Sequence, residues 1–273
     1  MKLGMTMYSF NSYAREGRID VAGFLRFAAS VGLETVDLLA YYWRDERDEP
    51  DEARRMIGDL GLELATYAVG NNFVQEDPKR FREQVDLVRR GIEMAVRLGA
   101  PAMRVFGGQA GHLPEGEAMS LAAQGLAEVL DDAAAAQVVL AIENHSVPGK
   151  AADVIDLLEE LDSPWARACV DVGNFVPIGE DPAEAVAQVV GYARHSHIKD
   201  WRRDEREGGR VEWRPCIPGR GDIDYPSVLA AFARGGYEGA LSIEAEGPED
   251  DLMAAEWATN WLRELIAEVE DGE

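Results

Sequence analysis

Four side chains able to bind a divalent cation close successive apolar runs in the second half of this chain. Glu143 follows "VVLAI", Asp171 follows "ARACV", His197 lies inside "HSHIKD" and Glu244 follows "GALSI". Taken singly, each has an ordinary explanation. A Glu or Asp at a strand end usually caps a helix or pairs with a loop cation, and a strand histidine is usually a satisfied core residue. Four together are harder to explain that way, because burying three unpaired carboxylates is costly and a cation offsets the cost. Three carboxylates and one imidazole make a hard, oxygen-rich donor set. It suits Mn²⁺ or Mg²⁺, with positions left for water or substrate oxygens, better than a closed structural zinc site. Mn²⁺ is the expected ion, with Mg²⁺, Co²⁺ or Zn²⁺ as alternatives.

Other side chains with useful chemistry fall beside these four. In "HSHIKD", His195, His197 and Lys199 alternate, so on a strand all three share one side. The spacing alone leaves the histidines open: two ligands, one ligand and a neighbour, or two core residues. Lys199 could touch a substrate oxygen, or form a surface salt bridge. His145 in "IENH", Asn174 in "VDVGN" and Arg220 in "PGRGDID" are further candidates for holding substrate. In the first half Tyr8, Asn71, Asn72, Phe73 and Arg104 sit at strand ends and could shape a pocket; Asn72 is taken as a substrate-binding candidate. Trp257 and Trp261, four apart in the last helix, read as packing against the core.

A repeated piece of punctuation indicates what positions them. A helical stretch, Leu-Gly or Gly-Gly, and then a short apolar run recur in "VGLETVDLL" (31–39), "LGLELATYA" (60–68), "LGAPAMRVF" (98–106) and "GGYEGALSI" (235–243). Glycine ends a helix at little cost by taking the left-handed conformation, and a strand follows at once. With the runs at 2–8, 137–142, 166–170 and 196–198 this gives eight strand candidates. Asp20, Asp77-Pro78 and Asp181-Pro182 mark helix starts. Eight alternating units predict a single-domain α/β fold, a (β/α)8 TIM barrel over residues 1–273. An open doubly wound sheet is the alternative, but no Gly-x-Gly-x-x-Gly follows the first strand. Two long connections, 107–114 and 201–224, are expected to be binding loops. The second carries Arg202, Arg203, Arg206, Arg210 and Arg214, which either meet an anionic substrate or pair in solvent with Asp204, Glu205 and Glu207.

Bulk composition narrows the function classes. The chain has 273 residues, 47% of them hydrophobic, enough for one large core. Fifty-one acidic residues against 27 basic ones give a net charge of −24, which repels phosphate backbones and argues against nucleic acid. Such a surface is well solvated, and adaptation to high salt is an alternative reading of it. No run reaches the roughly 18 apolar residues of a membrane span. "MKLGMTMYSF" lacks the parts of a signal peptide. Two cysteines are too few for a disulfide framework, so a reducing cytoplasm is the expected location. A homo-oligomer is compatible with the chain.

"IENH", "VDVGN", "HSHIKD", "PGRGDID" and "SIEAE", in this order, resemble the xylose isomerase-like TIM barrel superfamily. Within it they resemble the sugar phosphate isomerase/epimerase branch, which includes ketose 3-epimerases, hydroxypyruvate isomerases, inosose dehydratases and, more distantly, endonuclease IV. The likeness covers nearly the whole chain and is strongest from Ile142 to Glu246. It implies metal ligands at Glu143, Asp171, His197 and Glu244, with His195 a neighbouring pocket residue. One departure is Asn174, where some ketose epimerases carry a histidine. The implied reaction is isomerisation or epimerisation of a small carbohydrate (a ketose, keto-polyol or sugar acid) by proton abstraction beside a metal-chelated carbonyl, through an enediolate. Glu143 and Glu244 would exchange the proton. Dehydration of a keto-polyol, or cleavage of a keto-glycoside, is the alternative on the same site. A nuclease like endonuclease IV would need many histidines and a basic groove, and the four filled ligand positions argue against a non-catalytic sugar binder. The acidic "EAEGPEDD" after the last strand favours an unphosphorylated substrate.

Overall fold

The computed structural model describes residues 1–206 and 210–271. Glu207, counted above among partners for the arginines, lies outside the described residues. The strands are β1 (Lys2–Thr6), β2 (Thr35–Leu39), β3 (Glu63–Ala68), β4 (Ala102–Gly108), β5 (Val139–Ser146), β6 (Ala166–Asp171), β7 (Ala193–Ile198), β8 (Asp200–Arg206), β9 (Arg210–Cys216) and β10 (Ala240–Ile243). The helices are α1 (Asn11–Arg15), α2 (Val21–Ser30), α3 (Glu49–Asp59), α4 (Pro78–Leu98), α5 (Glu115–Ala136), α6 (Ala151–Leu161), α7 (Pro182–Val189), α8 (Tyr225–Arg234) and α9 (Asp251–Asp271).

The punctuation works as its chemistry requires. Gly32, Gly61, Gly99 and Gly236 all have φ between 70° and 78°, ending helices in the left-handed conformation just before β2, β3, β4 and β10. Asp20, Asp77 and Asp181 each accept a backbone N–H in the first turn of α2, α4 and α7. The parallel strands close into a barrel in the order β1-β10-β7-β6-β5-β4-β3-β2, a (β/α)8 TIM barrel.

The large apolar side chains fill the layer between strands and helices: Phe24, Leu25, Val85, Val88, Leu126, Val129, Leu157 and Phe232 are buried there. A second set of buried residues is small or polar. Gly4 pairs with Thr35 on one side and Ser242 on the other. A Cβ at Gly4 would come within 2.2 Å of the Thr35 hydroxyl, so only glycine fits. Thr35, Asp37, Ser242 and His197 follow one another across these strands, leading from the small residues to the charged ones.

The described residues of the 201–224 connection include two strands rather than loop alone. β8 and β9 pair antiparallel, Arg202 opposite Arg214 and Asp204 opposite Glu212. Charged side chains alternate across a two-stranded ribbon that needs no hydrophobic face of its own, so apolar periodicity did not reveal it. Arg214 pairs with Asp204 at 2.9 Å and Arg203 with Glu205 at 3.4 Å, the solvated pairing that was the plainer expectation. Asp200 anchors the base of the ribbon. Its carboxylate accepts the N–H groups of Trp201, Gly219, Gly221 and Ile223 at 2.8–3.4 Å. Asp200→Ala leaves these donors unpaired and should lower unfolding free energy by about 3 kcal/mol, read from urea titration; an unchanged midpoint would show that the anchor contributes nothing.

Trp257, expected to pack in the core, is 42% exposed, and the Arg220 guanidinium lies 4.0 Å over its ring. Trp261 does pack inward, against Tyr225. Among the described residues no helix is long and apolar enough to cross a membrane. Cys169 and Cys216 are both buried and free.

Candidate metal and active site

Parallel strands bring their carboxyl ends to one rim, so a polar residue at each end meets its counterparts. Glu143 on β5, Asp171 closing β6 and His197 on β7 each place a donor atom within 4.8 Å of the others, all buried. Glu244 follows β10 immediately; its Oε2 lies 3.3 Å from His197 Nδ1, and Glu143 Oε2 lies 3.6 Å from the same nitrogen. One imidazole nitrogen is thus faced by carboxylates from strands on either side of it. Asp171 Oδ1 accepts the N–H groups of Gly173 and Asn174 at 2.9 and 3.2 Å, which fixes the carboxyl; its Oδ2 has no hydrogen-bond partner.

Two cations approach the cluster from the protein side. Arg104 on β4 lies 3.1 Å from Glu143 Oε2 and donates to the Val69 carbonyl at 3.0 Å. Lys199 Nζ lies 2.6 Å from Glu244, 3.4 Å from Asp171 and 3.4 Å from Glu246. Glu143, Asp171, Glu244 and Glu246 carry four formal negative charges against two positive ones, an excess that one divalent cation would balance. With Asp171 Oδ2 meeting the Lys199 ammonium at 3.4 Å but accepting no hydrogen bond, and with an oxygen-rich donor set, the residues present fit a bound divalent ion.

The electrostatics bear the marks of that excess. Burial pushes Glu143 up to about 7, against the pull of Arg104. Burial also pushes Asp171 up to about 7, with Lys199 opposing it. For Glu244 burial acts in the same direction but loses: Lys199 and then His197 hold it at about 2. Burial depresses His197 to about 4, so its imidazole is neutral near pH 7, as a ligand must be. Glu143 and Asp171 therefore hold protons below about pH 7 that a metal must displace. Mn²⁺ affinity should rise from about pH 6 to about pH 8 and then level off, as read by titration calorimetry. In linkage terms, a raised carboxylate pKa gives stability that is present below the unfolded values, 4.5 and 3.8, and lost as pH rises through 7. The gain in Tm from Mn²⁺ should therefore be larger at about pH 8 than at about pH 6. An affinity that is flat across this range would contradict the assignment of these two ligands.

The remaining candidates divide. Asn174 donates to Glu143 Oε1 at 3.2 Å, in the cluster itself. His145 packs on the Phe106 ring at 4.9 Å, and burial lowers its pKa. His195 is buried beside His197, its Nε2 3.0 Å from Asp37. Asn72 is not brought to the cluster: its amide oxygen accepts the N–H groups of Val74 and Gln109, tying two loops together. Arg220 lies outside as well, on Trp257. Sequence reasoning passed over two residues. Asp37, 1% exposed in the middle of β2, is held below the usual carboxylate range by His195 despite its burial. A lone charge inside "TVDLL" was the available signal, because it demands a buried partner. Glu246 links the cluster to a cavity of about 700 Å³ lined by Tyr8, Ser12, Arg202, Glu249 and Asp251, among others. That is room enough for a monosaccharide.

A barrel with a buried carboxylate–imidazole cluster at its rim defines the class, and the sequence gives the family. The profile of the xylose isomerase-like TIM barrel family matches residues 25–265, and the chain belongs to it. Inosose dehydratase of Mesomycoplasma hyopneumoniae (strain 7448) is 30% identical over 125 residues, 41% of this chain and 42% of that protein, so the match spans less than half its length. The 3-oxo-isoapionate decarboxylase of Pectobacterium atrosepticum is 26% identical over 237 residues, 84% of this chain and 79% of that protein. Among solved structures, L-ribulose 3-epimerase shares the fold with a TM-score of 0.79 at 17% identity, covering 99% of this chain and 96% of that one. The family is one of sugar-related enzymes, and the buried Glu143, Asp171 and His197 form its candidate metal site here.

Proposed function

We propose that the chain is a divalent-metal-dependent isomerase or epimerase of a small, unphosphorylated carbohydrate, with Glu143, Asp171, His197 and Glu244 holding the ion, most readily Mn²⁺. The observation that carries this reading is the placement of Glu143 and Glu244 on either side of one imidazole nitrogen, 3.6 and 3.3 Å from it, beside a sugar-sized cavity. A bound divalent cation would polarise a carbonyl and acidify the neighbouring C–H. The protein's own side chains do the rest. Glu244 takes the proton from carbon, and Glu143, steadied by Asn174 and Arg104, returns one. Lys199 and His145 face the substrate oxygens. Burial of the cluster keeps bulk water from quenching the carbanion.

A second reading is dehydration, and Lys199 favours it. Its ammonium, 2.6 Å from Glu244 and 3.4 Å from Glu246, stays charged among these carboxylates and can hydrogen-bond a departing β-hydroxyl. Glu143, protonated below about pH 7, supplies the proton once Glu244 has removed the one on carbon. The name of one sequence relative, inosose dehydratase, points the same way, whereas the 3-oxo-isoapionate decarboxylase is named for loss of carbon dioxide. Mass spectrometry of products from a panel of ketoses, keto-polyols and sugar acids separates the readings. Retained mass with a changed sugar supports the isomerase or epimerase, and loss of water supports the dehydratase. A protein that keeps Mn²⁺ tightly and changes no member of the panel would overturn both.

A further inference from the structure

Asp37 stands in a place that the metal cluster alone does not explain. It is the middle residue of β2, a strand buried along its full length, and it lies on the same side as Thr35. Its partners come from β7, beyond β1 and β10 in the barrel order, so the contact spans the barrel interior. Asp37 Oδ2 is 3.0 Å from His195 Nε2 and 3.9 Å from His197 Nε2. The two rings meet edge to face at 89°, centroids 5.1 Å apart. His197 therefore turns Nε2 towards Asp37 and Nδ1 towards Glu143 and Glu244.

An imidazole has two nitrogens, and the partner of one decides which the other can be. Nδ1 can serve the cluster only while the ring is held in this orientation, with Nε2 turned to Asp37. With 3.9 Å to His197, Asp37 does not hydrogen-bond that ring directly; it grips His195, whose ring abuts His197. We infer that Asp37 is a positioning residue: through His195 it fixes the ring orientation of His197, so that Nδ1 faces the carboxylates. Burying one carboxylate with two histidines would be a poor way to stabilise a core, since an apolar residue of similar size does as well or better. A role in aiming a ligand accounts for its place in the barrel interior.

The consequence for metal affinity rests on the reading of the cluster as a metal site, whereas the ring orientation does not, and two measurements on Asp37→Asn keep them apart. The first is a high-resolution crystal structure of the metal-free protein, which reports the ring orientations. Wild type should show His197 with Nδ1 towards Glu143 and Glu244, and Asp37→Asn should show the ring turned away or in two orientations. The second is Mn²⁺ affinity by titration calorimetry, expected to fall about 10- to 100-fold in a variant that is folded by circular dichroism. Because Asp37 acts through His195, Asp37→Asn combined with His195→Gln should cost little more affinity than His195→Gln alone. A merely structural role would lower Tm and leave ring orientation and affinity unchanged. If Asp37→Asn does not fold, His195→Gln is read by the same two measurements, with the same expected results. A folded variant with the wild-type ring orientation and wild-type affinity overturns the inference. A wild type that binds no Mn²⁺, together with a turned ring in Asp37→Asn, would instead overturn the metal reading and leave the positioning role standing.

Discussion

Glu244→Gln should abolish turnover, with kcat down by at least about 10³-fold, while the protein stays folded. The substitution keeps the shape of the side chain and removes its charge. Glu244 serves two neighbours at once: its Oε1 takes the Lys199 ammonium at 2.6 Å and its Oε2 faces His197 Nδ1 at 3.3 Å, while Ala245 and Glu246 next to it line the cavity. An amide cannot accept a proton from carbon, so the chemical step loses its base. The substitution also removes the nearest of the negative charges around Lys199, leaving those of Asp171 and Glu246, each at 3.4 Å. Steady-state kinetics on the converted substrate, with bound metal measured in the same sample, tests this. More than about a tenth of wild-type kcat, in a variant that holds metal, would remove Glu244 from the proton transfer.

The second large effect separates the two histidines of "HSHIKD". His197→Ala should reduce Mn²⁺ binding below detection, because it deletes the one imidazole whose nitrogen lies among the carboxylates. His195→Ala should weaken binding by no more than about 10- to 100-fold, since His195 spends its Nε2 on Asp37 at 3.0 Å. Calorimetry on both variants, with circular dichroism to verify folding, gives the comparison. Equal loss in the two would mean that both rings bind the ion and that the ligand set has been assigned wrongly.

What could be read from the chain followed from strong local rules. Glycines that must adopt positive φ marked the ends of four helices, and the apolar runs behind them became β2, β3, β4 and β10. Parallel strands share one carboxyl end, so the polar residues towards the carboxyl ends of β5, β6, β7 and β10 had to meet. The pairings across the interior were not readable in the same way. That Asp37 reaches His195 depends on barrel closure between β2, β1, β10 and β7, and nothing in "TVDLL" says which strand lies opposite. The β8–β9 ribbon was missed because its alternating charges carry no apolar signal. Arg220 and Trp257 found each other at the surface, a cation–π contact between segments far apart in sequence.

The central claim is that a divalent cation, held by Glu143, Asp171, His197 and Glu244, serves proton abstraction beside a carbonyl. The most direct test is proton NMR of the carbohydrate panel in D₂O with the Mn²⁺-loaded enzyme, which is removed before spectra are recorded. Deuterium should appear in product or recovered substrate at the carbon beside the carbonyl, and chelation of the metal or Glu244→Gln should stop it. Turnover that leaves that carbon fully protonated, or exchange that persists after chelation, would contradict the account.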